Sequence, residues 1–195
     1  MNPFERSRQV EAEAMRRLTP FIHERSGTPD QPGRFVLIEK GPLAKDLQAT
    51  VGDVLMTNRK TGSLVSVEIK AEQKHTGNLF IECWSNLNLN SAESWEARGS
   101  NPGWAWKLHP GLLFYYFLDV DVLYVIKGYA LWNWMHGKPS QSGAVGASRI
   151  HDFRKIRVSS DQMNDTWGHI VPLVVLKEEV GVHDYNPMSL IGVAA

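Results

Sequence analysis

The feature that most constrains the fold is a pair of alternating apolar segments, GDVLMT and SLVSVEIK, separated by the turn-forming tract NRKTG. Alternation of apolar and polar residues around a glycine-containing turn predicts an antiparallel β-hairpin. Side chains two positions apart on a strand share a face, so Glu68 and Lys70 lie on one face and the apolar residues beside them on the other. A hairpin with these charges is either a solvated edge or a reaction centre.

The turn leaves two registers open for this hairpin. In the wider register Asp53 lies opposite Glu68, whereas a tight turn at Thr61 and Gly62 places Asp53 opposite Lys70 and diagonal to Glu68. Directly opposed Cβ atoms lie ~4.5–5.5 Å apart and diagonal ones ~7–8 Å. Either register brings two carboxylates close enough to bind one small hard cation. Mg²⁺ is such a cation, because it binds one or two carboxylates and keeps waters at its other positions.

A metal ion bound between Asp53 and Glu68 would suit the hydrolysis of a phosphodiester. Lys70 lies next to both carboxylates, where its ammonium group orients a water of the metal or its amine deprotonates that water. Metal ions in such sites stabilise the attacking and the leaving oxygen of an in-line displacement. The hairpin therefore predicts a metal-dependent reaction centre.

The first helix contributes a further acid. Apolar residues recur at helical spacing over residues 4–19, and Pro20 predicts that the helix ends or kinks there. Glu11 falls within the arc of the apolar residues of this helix. An acid on a core-facing stripe needs a partner or a metal, so Glu11 is a candidate site residue.

The order of elements predicts a mixed α/β (α+β) fold in one domain, residues 1–195, with a central sheet flanked by helices. Besides the hairpin, we expect strands at 34–41, 77–84, 122–126 and 169–180, helices at 109–119 and 129–136, and loops at 85–107 and 137–148.

Composition excludes several classes of function. The 21 basic and 21 acidic residues balance, so any contact with nucleic acid depends on a local patch and not on the net charge. The single cysteine, Cys83, excludes an intramolecular disulfide and is more typical of a core residue than of a nucleophile. No apolar window is long enough to cross a bilayer, and no signal-peptide core is visible, which favours a cytoplasmic protein without membrane contact.

Several polar residues are candidates for contacts with nucleic acid. Gln73 and Lys74 follow Lys70 closely and either reach a phosphate or form loop surface. Asn78 either contacts a nucleic-acid backbone or caps the turn after Gly77. The stretch RIHDFRKIRV includes Arg154 and Lys155, which either follow a phosphate backbone or form a solvated face.

On these residues the chain resembles the PD-(D/E)XK nuclease superfamily, in which an Asp on one strand precedes a Glu-x-Lys on the next. The run VEIKAEQKHTGNLFIE resembles small phage or prophage members, and the resemblance covers roughly residues 4–126. It implies a restriction-endonuclease-like core and hydrolysis of DNA by a water that Mg²⁺, or Mn²⁺, activates. Gly52 stands where the family name has proline, and a neutral chain is less basic than a DNA-cleaving enzyme suggests.

Residue by residue, the resemblance implies that Asp53 and Glu68 bind the metal. Lys70 would position the water or stabilise the transition state, and Glu11 would be the helix acid that some members use. Many relatives dimerise to cut two strands, so a homodimer is possible. The alternative is a catalytically inactive nucleic-acid-binding or anti-defence protein with the same fold, and a third reading is an interaction module whose hairpin charges are only surface.

Overall fold

The computed structural model describes residues 3–28, 30–38, 52–86, 101–108, 111–137, 148–158 and 165–191. The chain groups into two compact units, each assembled from separate segments. The first unit contains residues 1–75, 110–127 and 182–195, and the second contains residues 76–109 and 128–181. Each unit is described below by itself, and the single domain over residues 1–195 stays a prediction.

The described residues form strands and helices as follows, in chain order. The helices are α1 (Pro3–Arg25), α2 (Trp104–Lys107), α3 (Gly128–His136), α4 (Leu173–Glu179) and α5 (Pro187–Ile191), with a 3₁₀ turn at Ile150–Asp152. The strands are β1 (Gly27–Thr28), β2 (Gln31–Pro32), β3 (Phe35–Leu37), β4 (Val54–Thr57), β5 (Leu64–Glu72), β6 (Asn78–Asn86), β7 (Asn101–Pro102), β8 (Leu112–Phe117), β9 (Val122–Lys127), β10 (Lys155–Arg157), β11 (Trp167–Pro172) and β12 (Val182–Tyr185).

The first unit is built on a six-stranded mixed sheet with the order β12-β9-β8-β5-β4-β3. Strands β5 and β8 run parallel, and the other neighbouring pairs run antiparallel. Helix α1 packs on one face of this sheet, where its buried side chains join those of β4, β5, β8 and β9 in one core cluster. The predicted mixed α/β class with a central mixed sheet is confirmed.

The hairpin of β4 and β5 adopts the wider of the two registers, with Thr57 opposite Leu64, and the tighter register is wrong. The Asn58 side chain selects the wider turn, because its Oδ1 accepts hydrogen bonds from the backbone N–H groups of Lys60 (2.9 Å) and Thr61 (3.3 Å). On β5 the apolar residues between the charged positions face α1, as the alternation predicts.

Helix α1 continues through Pro20 to Arg25, so of the two alternatives for Pro20 the end of the helix is wrong, and a kink stays a prediction. A proline inside a helix costs about 3 kcal/mol, because it removes one hydrogen bond and crowds the preceding turn. The next two residues, Phe21 and Ile22, are buried in the core. Burial of each side chain contributes about 1.5–3 kcal/mol, which offsets the cost of the proline.

The apolar run at 109–119 does not form the predicted helix, because Leu112–Phe117 is the strand β8. This strand lies between β5 and β9 near the centre of the sheet, and its residues from Leu113 onward are buried. The sequence of a strand that has neighbours on both sides and is covered on both faces is a continuous run of apolar residues. Periodicity alone does not distinguish such a run from a buried helix.

The second unit contains a four-stranded antiparallel sheet with the order β10-β11-β6-β7 and the helices α2, α3 and α4. The strand predicted at 77–84 is confirmed as β6, and the helix predicted at 129–136 is confirmed as α3. The segment 169–180 is a strand only as far as Pro172 and then turns into α4, so its second half contradicts the prediction.

The remaining predictions are confirmed in part. The strand at 122–126 is confirmed as β9, and the strand at 34–41 is confirmed over Phe35–Leu37, with residues 39–41 outside the described ranges. The loop at 85–107 contains the short elements β7 and α2, while residues 87–100 lie outside the described ranges. Most of the loop at 137–148 lies outside them as well.

Within the described ranges, every helix is too short or too polar to cross a membrane.

Gly52, directly before Asp53, has a backbone that few other residues tolerate, with φ of +83°. A Cβ at this position would lie 2.7 Å from the carbonyl oxygen of Val67. Gly62 in the hairpin turn also has a positive φ, of +71°, but a Cβ there would meet nothing within 4 Å. The two glycines therefore form a matched pair that separates backbone strain from crowding.

We expect Gly52→Ala to destabilise the protein more than Gly62→Ala. In both variants the left-handed backbone conformation of the new alanine lowers the free energy of unfolding by about 1–2 kcal/mol. Gly52→Ala lowers it by about 1–3 kcal/mol more, because the new methyl group crowds a backbone carbonyl. Urea unfolding followed by circular dichroism measures both free energies. Equal losses in the two variants would contradict the close approach of Gly52 to β5.

Cys83 lies buried on β6, where its thiol donates a weak hydrogen bond to the carbonyl oxygen of Ile81. Burial raises the pKa of this thiol to about 11. The pKa and the burial favour a core residue over a nucleophile, because the thiolate is the reactive form.

We expect iodoacetamide to alkylate Cys83 slowly in the folded chain. At pH 8 the thiolate fraction is about two orders of magnitude lower for a pKa near 11 than for an ordinary cysteine with a pKa of about 8.5. Mass spectrometry of the native chain and of the chain in 8 M urea measures the two rates, about 8 M being enough to unfold most domains. Similar rates in both conditions would show that Cys83 is accessible and reactive.

Candidate active site

Asp53 lies at a bend directly before β4, and three hydrogen bonds hold it. Its backbone N–H donates to the carbonyl oxygen of Val67 (2.8 Å), and its own carbonyl oxygen accepts from the N–H of Ile38 (2.8 Å). Its carboxylate Oδ2 accepts from the backbone N–H of Ile69 (2.7 Å). A charge-assisted bond of this length orients the carboxylate at the edge of β5.

Glu68 and Lys70 lie on the same face of β5, as the alternation predicts, and they form an ion pair. The Nζ of Lys70 lies 2.7 Å from Oε1 of Glu68. The Lys70 side chain is 34% exposed and the Glu68 side chain 17%, so solvent screens this pair less than it screens a surface pair. The pair therefore holds the Glu68 carboxylate and the Lys70 ammonium group in a defined position.

A cavity of about 340 Å³ brings three of the predicted site residues together in the first unit. Its charged lining residues are Glu11 of α1, Asp53 and Lys70. The rest of its lining is mostly apolar and consists of Met15, Ile38, Ile69 and Ala71. Glu68 is not among the lining residues, but it forms an ion pair with Lys70, which lines the cavity.

Glu11 lies at the margin of the core-facing stripe and not within it. Its neighbour Val10 is half-buried, but Glu11 itself is exposed, so the expectation of a buried acid is wrong. The hydroxyl of Ser7, one turn earlier, donates a long hydrogen bond of 3.4 Å to Oε1 of Glu11. Glu11 therefore reaches the cavity from the solvent side of α1.

The donor chemistry of the site fits one divalent cation. Mg²⁺ requires only one or two carboxylate ligands, and Asp53 and Glu68 supply that number. Within the described ranges, no three His, Cys, Asp or Glu side chains converge as a metal-binding group.

Glu72 is a further acid on the face of β5 that carries Glu68 and Lys70. It lies two positions after Lys70 on β5 and is half-buried, and the hydroxyl of Tyr115 on β8 donates a hydrogen bond to its Oε1. Burial raises the pKa of Glu72, and the hydrogen bond from Tyr115 only partly opposes this. The period of two that links Glu68 to Lys70 also extends to Glu72, and this signal could have found it.

Gln73 and Lys74 follow β5 in the first unit, and both are exposed. Gln73 lines a separate cavity of about 530 Å³ together with Arg6 and Gln9 of α1. Arg6 and Glu13 both line this cavity, so its charges balance and do not favour a phosphate at Gln73. Nothing distinguishes Lys74 from loop surface.

Asn78, Arg154 and Lys155 belong to the second unit. The Asn78 side chain donates a hydrogen bond from Nδ2 to the carbonyl oxygen of Thr76 (3.1 Å). This bond closes the turn around Gly77 and favours the capping interpretation of Asn78. Arg154 and Lys155 are exposed at β10, which is an edge strand.

Lys155 and Arg157 of β10 form a basic strip with Trp167 of β11. The Nζ of Lys155 lies 4.9 Å from the centroid of the Trp167 ring, and the Cζ of Arg157 lies 5.6 Å from it. The buried carboxylate of Asp165 accepts hydrogen bonds from Arg157 Nε and Trp167 Nε1, both at 2.7 Å. Trp167 and Asp165 lie outside the basic stretch of the sequence, so that stretch alone does not indicate them.

The comparisons with known proteins add no relative. No family model, curated protein or solved structure matches this chain. The resemblance to the PD-(D/E)XK superfamily therefore rests on the residues of the hairpin and of the segment that follows it.

Proposed function

We propose that this protein is a metal-dependent nuclease that hydrolyses the phosphodiester bonds of DNA. The observation that carries the proposal is the cavity shared by Glu11, Asp53 and Lys70, to which Glu68 is joined through Lys70. Acids and a lysine at one polar cavity match the chemistry of phosphodiester hydrolysis, in which a cation and an ammonium group compensate the charge of the reacting phosphate.

Asp53 and Glu68 are the residues that would hold the ion. The Ile69 N–H orients the Asp53 carboxylate, and the Lys70 ammonium group orients Glu68. When bound, Mg²⁺ supplies Lewis-acid stabilisation of the phosphoryl oxygens and lowers the pKa of a water that it binds.

Lys70 lines the cavity in which the phosphate would bind, and its ammonium group stabilises the charge that develops on the phosphoryl oxygens. In the reaction the water oxygen forms a new bond to phosphorus, the bond from phosphorus to a sugar oxygen breaks, and that oxygen takes a proton from solvent water. Glu11, at the solvent-exposed side of the cavity, is placed to accept the proton of the water.

We expect DNA cleavage with Mg²⁺ that is lost in Asp53→Asn and Lys70→Gln. Asp53→Asn keeps the shape of the side chain and Lys70→Gln keeps a shorter polar one, and each removes a charge that contributes to the transition state, so the rate falls by about 100-fold or more. The assay incubates the full chain with linear, circular, single-stranded and branched DNA, with Mg²⁺ or with EDTA. EDTA is expected to abolish cleavage by the wild-type chain.

Glu178→Gln and Lys177→Gln on α4 are matched controls, because they remove the same charges from exposed positions in the second unit. Both controls should cleave DNA like the wild-type chain. Thermal unfolding of every variant separates loss of activity from loss of folding. Equal cleavage by the wild type, Asp53→Asn and Lys70→Gln would refute the proposed site.

The basic strip favours contact with nucleic acid whether or not the chain cleaves it. Lys155 and Arg157 both lie over the Trp167 ring, and Asp165 holds this ring in place. Cations next to an aromatic face match the phosphates and bases of a nucleic acid. An inactive nucleic-acid-binding protein is therefore the second candidate, and binding without metal-dependent cleavage would select it.

We expect Lys155→Ala to weaken DNA binding and to reduce its dependence on salt. Loss of one phosphate contact lowers the slope of log K against log salt by about 0.9. Fluorescence anisotropy of labelled DNA in EDTA, over a series of salt concentrations, measures the slope without cleavage. Lys177→Ala on α4 is the control, and an identical slope for Lys155→Ala and the wild type would exclude the strip as a DNA contact.

A further inference from the structure

A second and larger cavity lies in the first unit, away from the residues of the candidate active site. Its volume is about 630 Å³, which lies within the range of about 300–1,000 Å³ that small-molecule sites occupy. Phe21 near the end of α1, Phe114 of β8 and Tyr185 of β12 contribute aromatic walls. The ring centroids of Phe21 and Tyr185 lie 5.5 Å apart, and those of Phe21 and Phe114 lie 6.0 Å apart.

Three cationic side chains line the same cavity, namely Arg25, Arg59 and Lys60, against one acid, Glu24. The formal charges of these four side chains sum to +2, although the whole chain is neutral. The cavity therefore concentrates positive charge beside an aromatic surface.

The guanidinium group of Arg25 is held at the cavity wall and has an unused donor. Its Cζ lies 5.4 Å from the centroid of Phe21 and 5.5 Å from that of Tyr185. Its Nε is buried and has no hydrogen-bond partner among the described residues. A buried donor without a partner is costly, so the position of this guanidinium group is set by its aromatic contacts and not by a hydrogen bond of its Nε.

The end of α1 would ordinarily repel an anion, because the last carbonyl groups of a helix are a region of negative potential. Arg59 counteracts this effect at the cavity. The Nη1 of Arg59 donates a hydrogen bond to the carbonyl oxygen of Glu24 (3.0 Å), and the backbone N–H of Arg59 donates one to the carbonyl oxygen of Arg25 (3.1 Å). The two terminal carbonyl groups thus have donors, and the charge of Arg59 stays at the cavity.

We propose that this cavity binds a mononucleotide, with the base against the aromatic walls and the phosphate at Arg25, Arg59 and Lys60. A phosphomonoester has a charge of about −1.5 to −2 at pH 7, which matches the formal +2 of the cavity. Guanidinium groups bind phosphate through paired hydrogen bonds, and a base stacks on aromatic side chains in any sequence. The site does not depend on the proposed nuclease activity, since it contains neither Asp53 nor Lys70.

Isothermal titration calorimetry of the full chain in EDTA tests the proposal with thymidine 5′-monophosphate as the probe. We expect saturable 1:1 binding, and at least tenfold weaker binding of thymidine and of inorganic phosphate, each of which has only one half of the recognised chemistry. A terminally phosphorylated dinucleotide distinguishes the end of a DNA strand from a free nucleotide, and its tighter binding would identify the strand end as the source of the mononucleotide group.

Arg25→Gln and Lys60→Gln should each lower the affinity by about tenfold, a typical effect of losing one charged hydrogen bond. Lys60 is exposed, so Lys60→Gln tests the site even if Arg25→Gln fails to fold. Lys177→Gln on α4 is the control for charge and should leave the affinity unchanged.

Asp53→Asn separates this proposal from the nuclease proposal, because it should bind the probe like the wild type. Three results would overturn the inference: no saturable binding at millimolar probe, equal binding of thymidine, or loss of binding in Asp53→Asn with Lys60→Gln unaffected. The last result would place the nucleotide in the candidate active site.

Discussion

The packing of α1 against one face of β5 is the constraint on which the rest of the first unit depends. Leu18 of the helix and Val67 of the strand are completely buried in this contact, and each such side chain contributes about 1.5–3 kcal/mol. Because side chains alternate along a strand, the burial of Val67 forces Glu68 and Lys70 to the opposite face. A shift of one residue would place both charges in the core, so this packing also fixes the register.

The candidate site forms where the regular ladder between β4 and β5 stops. Gly52 approaches the backbone of β5 too closely for a side chain, and the next residue, Asp53, bends away from the ladder. The Asp53 carboxylate accepts the N–H of Ile69 and faces the cavity that Lys70 also lines. Irregular backbone at the end of a strand thus positions the acid, while regular backbone positions Glu68 and Lys70.

The hairpin and its alternation could be predicted because they depend on local sequence, and β4 and β5 confirm them. Two predictions failed for a common reason. Leu112–Phe117 is a strand because β5 and β9 pair with it on both sides, and α1 passes through Pro20 because Phe21 and Ile22 are buried beyond it. In both cases tertiary contacts outweigh a local preference. Glu11, Asp53 and Lys70 line one cavity, but Glu11 reaches it from solvent and not from the core.

The sequence by itself determined the alternation of β5, the glycine-containing turn and the shared face of Glu68 and Lys70, because neighbours in the chain decide these properties. Only the tertiary structure decided which distant residues meet. Arg25 and Tyr185 are far apart in the chain but line one cavity, since α1 and the edge strand β12 pack in the same unit. Arg157 and Trp167 meet because β10 pairs with β11. Strand order and helix packing create such neighbours, and no local pattern of residues encodes them.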